Sequence, residues 1–170
     1  ILRLYHLAQQ SVWFDEWLFC VALPSTHITT FFRNLWLYVP EMAITPVYLS
    51  LAYAVSHIAG AEVLALRMLS LLPGMISIIL IYVLGRRLGK ARSGLVAAWC
   101  LALSPQHIWH NQEIRPYSLL FMFCLIALLG LVHWQDSGRR RWFWVNFFAN
   151  SLLIFTHLLG VLFLLPQGFY

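Results

Sequence analysis

Residues 68–85 form an apolar run with no Asp, Glu, Lys or Arg, and three more such runs follow at 93–112, 117–135 and 142–167. A helix needs about 20 predominantly apolar residues to cross the hydrocarbon of a bilayer. Inside that hydrocarbon every backbone N–H and C=O must be paired within the protein, and a helix does so within one segment. The fold expected is therefore all-α, a polytopic transmembrane helix bundle. Composition points the same way: 61% of the residues are hydrophobic and 10% charged, whereas soluble domains carry about 25% charged residues. Disorder and an ordinary water-soluble fold are both excluded. Pro73 should kink the first run and Pro105 the second, near one end.

The charges set the expected orientation. Arg86, Arg87, Lys90 and Arg92 fall in one short loop and Arg139, Arg140 and Arg141 in another, which is seven of the eleven basic residues. Two spans separate these loops, so both lie on one face, and the positive-inside rule makes that face cytoplasmic. The opposite face then carries Asp15, Glu16, Glu41, Glu62 and Glu113, leaving Asp136 inside. The net charge of +5 follows from this topology, and nucleic acid is not an expected partner; the lipid bilayer is. The chain reads as the N-terminal part of a longer one: residues 1–8 as the outer end of a first span, 9–66 as an external loop, and 67–167 as four further spans. The apolar stretch 42–60 would, if it spanned, carry Asp15 and Glu16 to the cytoplasmic side. Thr45–Pro46, Ser50, Ser56 and His57 interrupt it, and it is read as a helix along the outer interface. No cleavable signal peptide is visible, and Cys20, Cys100 and Cys124 have no metal-like spacing and form no disulfide framework.

Two clusters carry candidate chemistry. In Trp13-Phe14-Asp15-Glu16-Trp17, aromatic residues are expected anchors at a membrane interface, but adjacent carboxylates there are costly. Either they form a solvated loop edge or they supply a base at the mouth of a membrane-embedded cavity. In Gln112-Glu113-Ile114-Arg115-Pro116-Tyr117, Arg115 offers a planar set of donors suited to a phosphate, with Tyr117 as a further donor. The plainer alternative is an Arg115–Glu113 surface pair between two helix ends. His107, His110 and Glu113 recur every three residues, so one helical face could present all three to a divalent metal; interface histidines are the simpler account. Gly85 and Gly89 are read as easing a turn at a helix end, not as a dimer motif.

These motifs in order, WFDEW, Glu41 with Thr45-Pro46-Val47-Tyr48-Leu49, ALRMLSLLPGMISIILIYVLGRRLG, SGLVAAWCLALSPQHIWHNQEIRPYSLL and FTHLLG, resemble the N-terminal half of GT-C glycosyltransferases. The similarity is to the protein O-mannosyltransferase-like group, which includes the lipid A aminoarabinose transferases. The ordered set R-x-L-S, Y-x-L-G-R-R, S-P-x-x-I and Q-E-x-R-x-Y-S-L carries most of it. The resemblance implies a multi-pass protein of the cell (inner) membrane. It also implies a polyprenyl-phosphate-linked sugar as donor, a glycan, lipid or protein as acceptor, and an active site on the extracytoplasmic face. By position it implies that Asp15 is the base, that Glu16 supports it or contacts substrate, that Arg115 with Tyr117 binds the donor phosphate, and that His157 faces the same cavity. Glu41 and Glu113 remain candidate substrate contacts. Thr45–Pro46 stands where the family usually has Pro-Pro, so Glu41 is carried over less far than Asp15. Relatives often have an aromatic residue at the position of His110, which argues against an obligatory metal ligand there.

The implied chemistry needs one base and one cation, because a sugar phosphate already carries its leaving group. A glycoside hydrolase would need two carboxyls facing each other across the bond, and neighbouring side chains such as Asp15 and Glu16 diverge. The other functional class is a non-enzymatic membrane protein, either a lipid-linked sugar transporter or an assembly partner. A transporter should carry charges near the middle of its spans, whereas here they gather at the ends.

Overall fold

The computed structural model describes residues 46–60 and 62–168, together with Arg3, Leu4, Leu7, Glu16, His27, Thr29, Thr30, Arg33, Trp36 and Leu37. Asp15 and Glu41 lie outside the described residues. Within them every regular element is helical: α1 (Pro46–Ala59), α2 (Val63–Leu88), α3 (Ala91–Leu103), α4 (Pro105–Gln112), α5 (Tyr117–Ser137), α6 (Arg140–Thr156), a 3-10 turn (Leu158–Phe163) and α7 (Leu164–Gly168).

The apolar runs account for these helices, and their interruptions account for where they stop. α2 has 26 residues, about 39 Å at 1.5 Å per residue, more than the roughly 30 Å of bilayer hydrocarbon. Arg86 and Arg87 occupy its last turn, where cations suit the exposed carbonyls. The chain then reverses into α3, and a Cβ on Gly94 would stand 2.5 Å from the Tyr82 carbonyl oxygen, so α2 and α3 touch backbone to backbone. α5 lies against both α2 and α6. One apolar cluster, Tyr48, Leu49, Ala52, Leu66, Ile114 and Leu119, joins α1 and α2 to the α4–α5 corner. A second, Leu84, Leu125 and Leu129, seals α2 to α5 farther along.

α2 and α5 are long and apolar enough to cross a membrane, yet only 33% and 44% of their most apolar windows are buried inside the protein. Core helices of a soluble protein would be mostly covered. Here Leu72, Ile76 and Ile79 of α2 stand exposed, an arrangement that suits hydrocarbon and not water. α1, with 14 residues or about 21 Å, is too short to span. It starts at Pro46, whose missing N–H would lack a helical partner anyway.

Two expected spans are divided. The run 93–112 breaks at Ser104, whose extended backbone (ψ 117°) ends α3 and whose hydroxyl accepts the His107 N–H at the start of α4. The expected bend at Pro105 is thus a change of helix.

The run 142–167 is not one continuous helix: α6 ends at Thr156, and His157 takes an extended conformation (φ −160°, ψ 139°). The chain then doubles back along α6. A Cβ on Gly160 would lie 2.7 Å from the Leu153 carbonyl oxygen, so this tight return needs the bare glycine. Asn146 and Asn150 each donate an N–H to the Gln167 side-chain oxygen (2.8 and 3.0 Å), and Gln167 donates back to Asn150 (2.9 Å). Three amides that would meet hydrocarbon on a straight helix satisfy one another instead. A straight helix would separate positions 146 and 167 by about 32 Å. In a protein whose native cysteines are replaced by serine, Asn146→Cys with Gln167→Cys should therefore form a disulfide under mild oxidation, read by gel shift after cleavage between the two sites.

Candidate functional site

The start of α2, the α4–α5 corner and the end of α6 meet at one end of the bundle. Arg67 lies in the first turns of α2, and its guanidinium faces the Glu16 carboxylate at 3.4 Å, with both side chains almost wholly buried. Glu16 Oε1 accepts the Ile114 backbone N–H at 2.6 Å, and Arg67 also donates to the Leu7 carbonyl oxygen. Charge buried to this degree is tolerable only when each member has its partners. Here they come from three separate stretches of chain.

Ser70, one helical turn after Arg67, supports the same corner. Its hydroxyl donates to the Arg115 carbonyl oxygen at 2.9 Å and lies 3.4 Å from the Tyr48 hydroxyl. A further turn along, Pro73 and Gly74 interrupt the run of side chains. A Cβ on Gly74 would overlap Asn111 Oδ1, so the absence of a side chain makes room for Asn111. That amide is fully buried; its Oδ1 accepts the Ser118 hydroxyl proton at 2.8 Å. Arg3 closes the network from the other side. It donates to Ala102 O (2.9 Å) and Leu101 O (3.2 Å) in the last turn of α3, and to His107 Nδ1 (3.0 Å).

The aromatic rings extend the site. Tyr117 opens α5 and packs against His110 at 4.7 Å and His157 at 5.5 Å between ring centroids. The same break that ends α6 thereby brings His157 to the corner. Glu113 accepts the Trp109 indole N–H and lies 3.6 Å from His110 Nδ1.

Of the residues singled out from sequence, the fold gathers Glu16, Glu113, Arg115, Tyr117, His110 and His157 at this end. Asp15 and Glu41 are outside the described residues. Glu16 is an internal anchor, its oxygens turned to Arg67 and Ile114. His107, His110 and Glu113 do not converge as ligands, since His107 turns its Nδ1 to the Arg3 guanidinium, and a fixed cation there opposes a second one. Among the described residues no three His, Cys, Asp or Glu side chains cluster to hold a metal. Sequence reasoning missed Arg3 and gave Arg67 no role. Arg67 did carry a signal: a lone cation heading an uncharged run, in an R-x-L-S spacing that puts it and Ser70 on one helical face.

The family model described as dolichyl-phosphate-mannose-protein mannosyltransferase matches residues 43–170. The chain belongs to this family. It is thus a membrane glycosyltransferase of mannosyltransferase type, and the match takes in α1 to α7 with Arg67, Arg115, Tyr117 and His157, while Asp15, Glu16 and Glu41 precede it. No curated protein and no solved structure matches the chain.

The Glu16–Arg67 pair predicts a specific stability pattern. Glu16→Ala leaves a guanidinium buried without its counter-charge and should lower stability by on the order of 3–5 kcal/mol. Glu16→Leu combined with Arg67→Met should recover most of that loss, read by denaturant unfolding in detergent. Equal losses in the single and double variants would show that the two charges are not coupled.

Proposed function

We propose that the protein transfers a sugar from a polyprenyl-phosphate donor to a hydroxyl acceptor on the extracytoplasmic face of the cell (inner) membrane, as a multi-pass enzyme. The reading gives Asp15 the role of base, Arg115 with Tyr117 that of phosphate-binding group, and Glu16 that of a positioning residue. Glu113 and His157 line the approach to the phosphate, and Glu41 remains a candidate contact.

The observation that carries the proposal is the bond from the Ile114 N–H to Glu16. Asp15 precedes Glu16 in the chain and Arg115 follows Ile114, so this contact ties the peptide units of the proposed base and the proposed phosphate-binding cation. In the displacement, the acceptor oxygen attacks the anomeric carbon while its proton passes to the Asp15 carboxylate. The bond from the anomeric carbon to the phosphate oxygen breaks, and polyprenyl phosphate leaves with the electron pair. Arg115 offsets the charge gathering on that phosphate. One displacement inverts the anomeric centre. Because the leaving group departs as a phosphate, no second carboxyl is needed as a general acid.

Asp15→Asn in the full-length protein should abolish transfer while leaving membrane insertion intact. Mutation of a general base typically costs roughly 10²–10⁴-fold in rate, so full activity in that variant would remove the assignment. Arg115→Ala should raise the apparent KM for the lipid-linked donor with a smaller effect on kcat. Unchanged kinetics would remove its phosphate role. Binding of the donor without turnover in the unsubstituted protein would instead favour a carrier or assembly partner.

A further inference from the structure

The end of the bundle away from the α4–α5 corner carries an excess of positive charge. α2 and α5 both finish there, and α3 and α6 both begin there. Arg86, Arg87, Lys90 and Arg92 border the first of these turns and Arg139, Arg140 and Arg141 the second, and all seven are exposed. The two turns are tied together: Arg87 donates from Nε (3.0 Å) and Nη2 (2.6 Å) to Oδ2 of Asp136. Among the described residues Asp136 is the acid at this end, and that bond takes up its charge. Arg86, Lys90, Arg92, Arg139, Arg140 and Arg141 have no carboxylate partner among the described residues. Neither α3 nor α6 carries an acid in its first turn, where the helix dipole favours one. Cations gathered in this way repel one another unless anions stand among them.

The depth of this end in a membrane identifies the anion. The uncharged stretch of α2, 68–85, is about 27 Å long, close to the roughly 30 Å of bilayer hydrocarbon, so Arg86 and Arg87 emerge at the headgroup layer. Trp134, in the last turn of α5, and Trp144, near the start of α6, are exposed, as tryptophans at that layer are. The Arg141 guanidinium carbon lies 5.2 Å from the centre of the Trp142 ring, and that indole stacks on His133 at 4.4 Å. One cation is thus held in place before any ligand arrives, which lowers the ordering cost of binding. Phospholipid phosphates are already present at this depth, whereas a soluble polyanion would have to reach the bilayer surface to meet these residues.

We propose that the two turns form one binding surface for the phosphate headgroups of anionic phospholipids in the adjoining leaflet. Arg86, Lys90 and Arg92 contribute from the first turn and Arg139, Arg140 and Arg141 from the second. A guanidinium can take two phosphate oxygens at once, and each basic residue at such a surface strengthens attraction roughly fivefold. Asp136 limits the surface, because it engages Arg87 and keeps that guanidinium from phosphate. The surface lies about 28 Å along α2 from Arg67 and uses none of the groups assigned to sugar transfer.

The test uses the full-length protein in neutral detergent, titrated with phosphatidylglycerol or phosphatidylcholine, with bound lipid counted by native mass spectrometry. Phosphatidylglycerol should bind at least about tenfold more tightly, a difference of about 1.4 kcal/mol. Arg139→Gln, Arg140→Gln and Arg141→Gln together should erase most of that preference, while the basic residues of the other turn keep the chain's orientation. Asp136→Asn frees Arg87 and should tighten phosphatidylglycerol binding by about fivefold without changing phosphatidylcholine binding. An exposed ion pair adds little to stability, so this second variant reports on the surface even if the triple variant fails to accumulate. Equal binding of the two lipids by the unsubstituted protein overturns the proposal. So does an unchanged preference in the triple variant, or phosphatidylglycerol binding that Asp136→Asn leaves the same or weakens. Displacement of phosphatidylglycerol by an equal concentration of inorganic phosphate or of an oligonucleotide would show a site for soluble anions and overturn the lipid assignment.

Discussion

Glu16 and Arg67 face each other where neither meets water, and the arrangement of the site end of the bundle depends on that pair. Removing two charges from solvent costs several kcal/mol per ion, a cost offset only when geometry and additional hydrogen bonds are good. The bonds to Ile114 N–H and Leu7 O supply them. The pair therefore does more than join two side chains. It fixes Glu16 and Leu7 against the head of α2, and Glu16 against the corner that begins α5. Apolar packing alone would hold these elements weakly in a bilayer, because lipid tails are as apolar as leucine and the hydrophobic effect does not press helices together there. Buried polar contacts at this end, and close backbone approach such as that of α2 and α3 at Gly94, take over that task.

The helix interruptions follow the same logic. Non-helical backbone near membrane depth is tolerated where protein groups satisfy it or where it lines a cavity. At the break at Ser104, Arg3 donates to two carbonyls in the last turn of α3. The break at His157 is capped by its own ring, whose Nδ1 accepts the Leu159 N–H. At the α4–α5 corner the Ser70 hydroxyl serves Arg115 O. These irregular points stand near the α4–α5 corner and the buried ion pair, while the uninterrupted stretches of α2 and α5 run away from them. Regular helix supplies the span, and its interruptions supply the places where side chains converge.

Much of this was legible in the sequence, for a physical reason: hydropathy is a local property, and the four uncharged runs are helical throughout most of their length. The cluster around Arg115 and Tyr117 was legible because its residues are consecutive. The fold-back after His157 was not, since hydropathy carries no direction and an apolar run reads the same whether it continues or returns. Its signal was Asn146, Asn150 and Gln167, amides too costly to leave singly in hydrocarbon and so expected to seek one another. Arg3 with His107 spans a separation of 104 residues, and no local pattern encodes such a partner. The burial of Glu16 was not legible either. Aromatic neighbours suggested an interface, whereas the carboxylate points inward to a cation on another helix.

That inward turn divides the labour between two adjacent acids. A proton acceptor must reach the acceptor hydroxyl, and Glu16 has one oxygen committed to a backbone N–H, the other facing a guanidinium, and almost no exposed surface. It cannot serve as the base without breaking the contacts that locate it. The proposed function therefore gives the role of base to Asp15 and not to Glu16. In that proposal Glu16 acts as a positioning residue, and positioning achieved before a substrate arrives lowers the entropy cost of catalysis. On the proposed function the order Asp-Glu has a mechanical meaning: the second acid anchors the chain, and the first is the one assigned the chemistry.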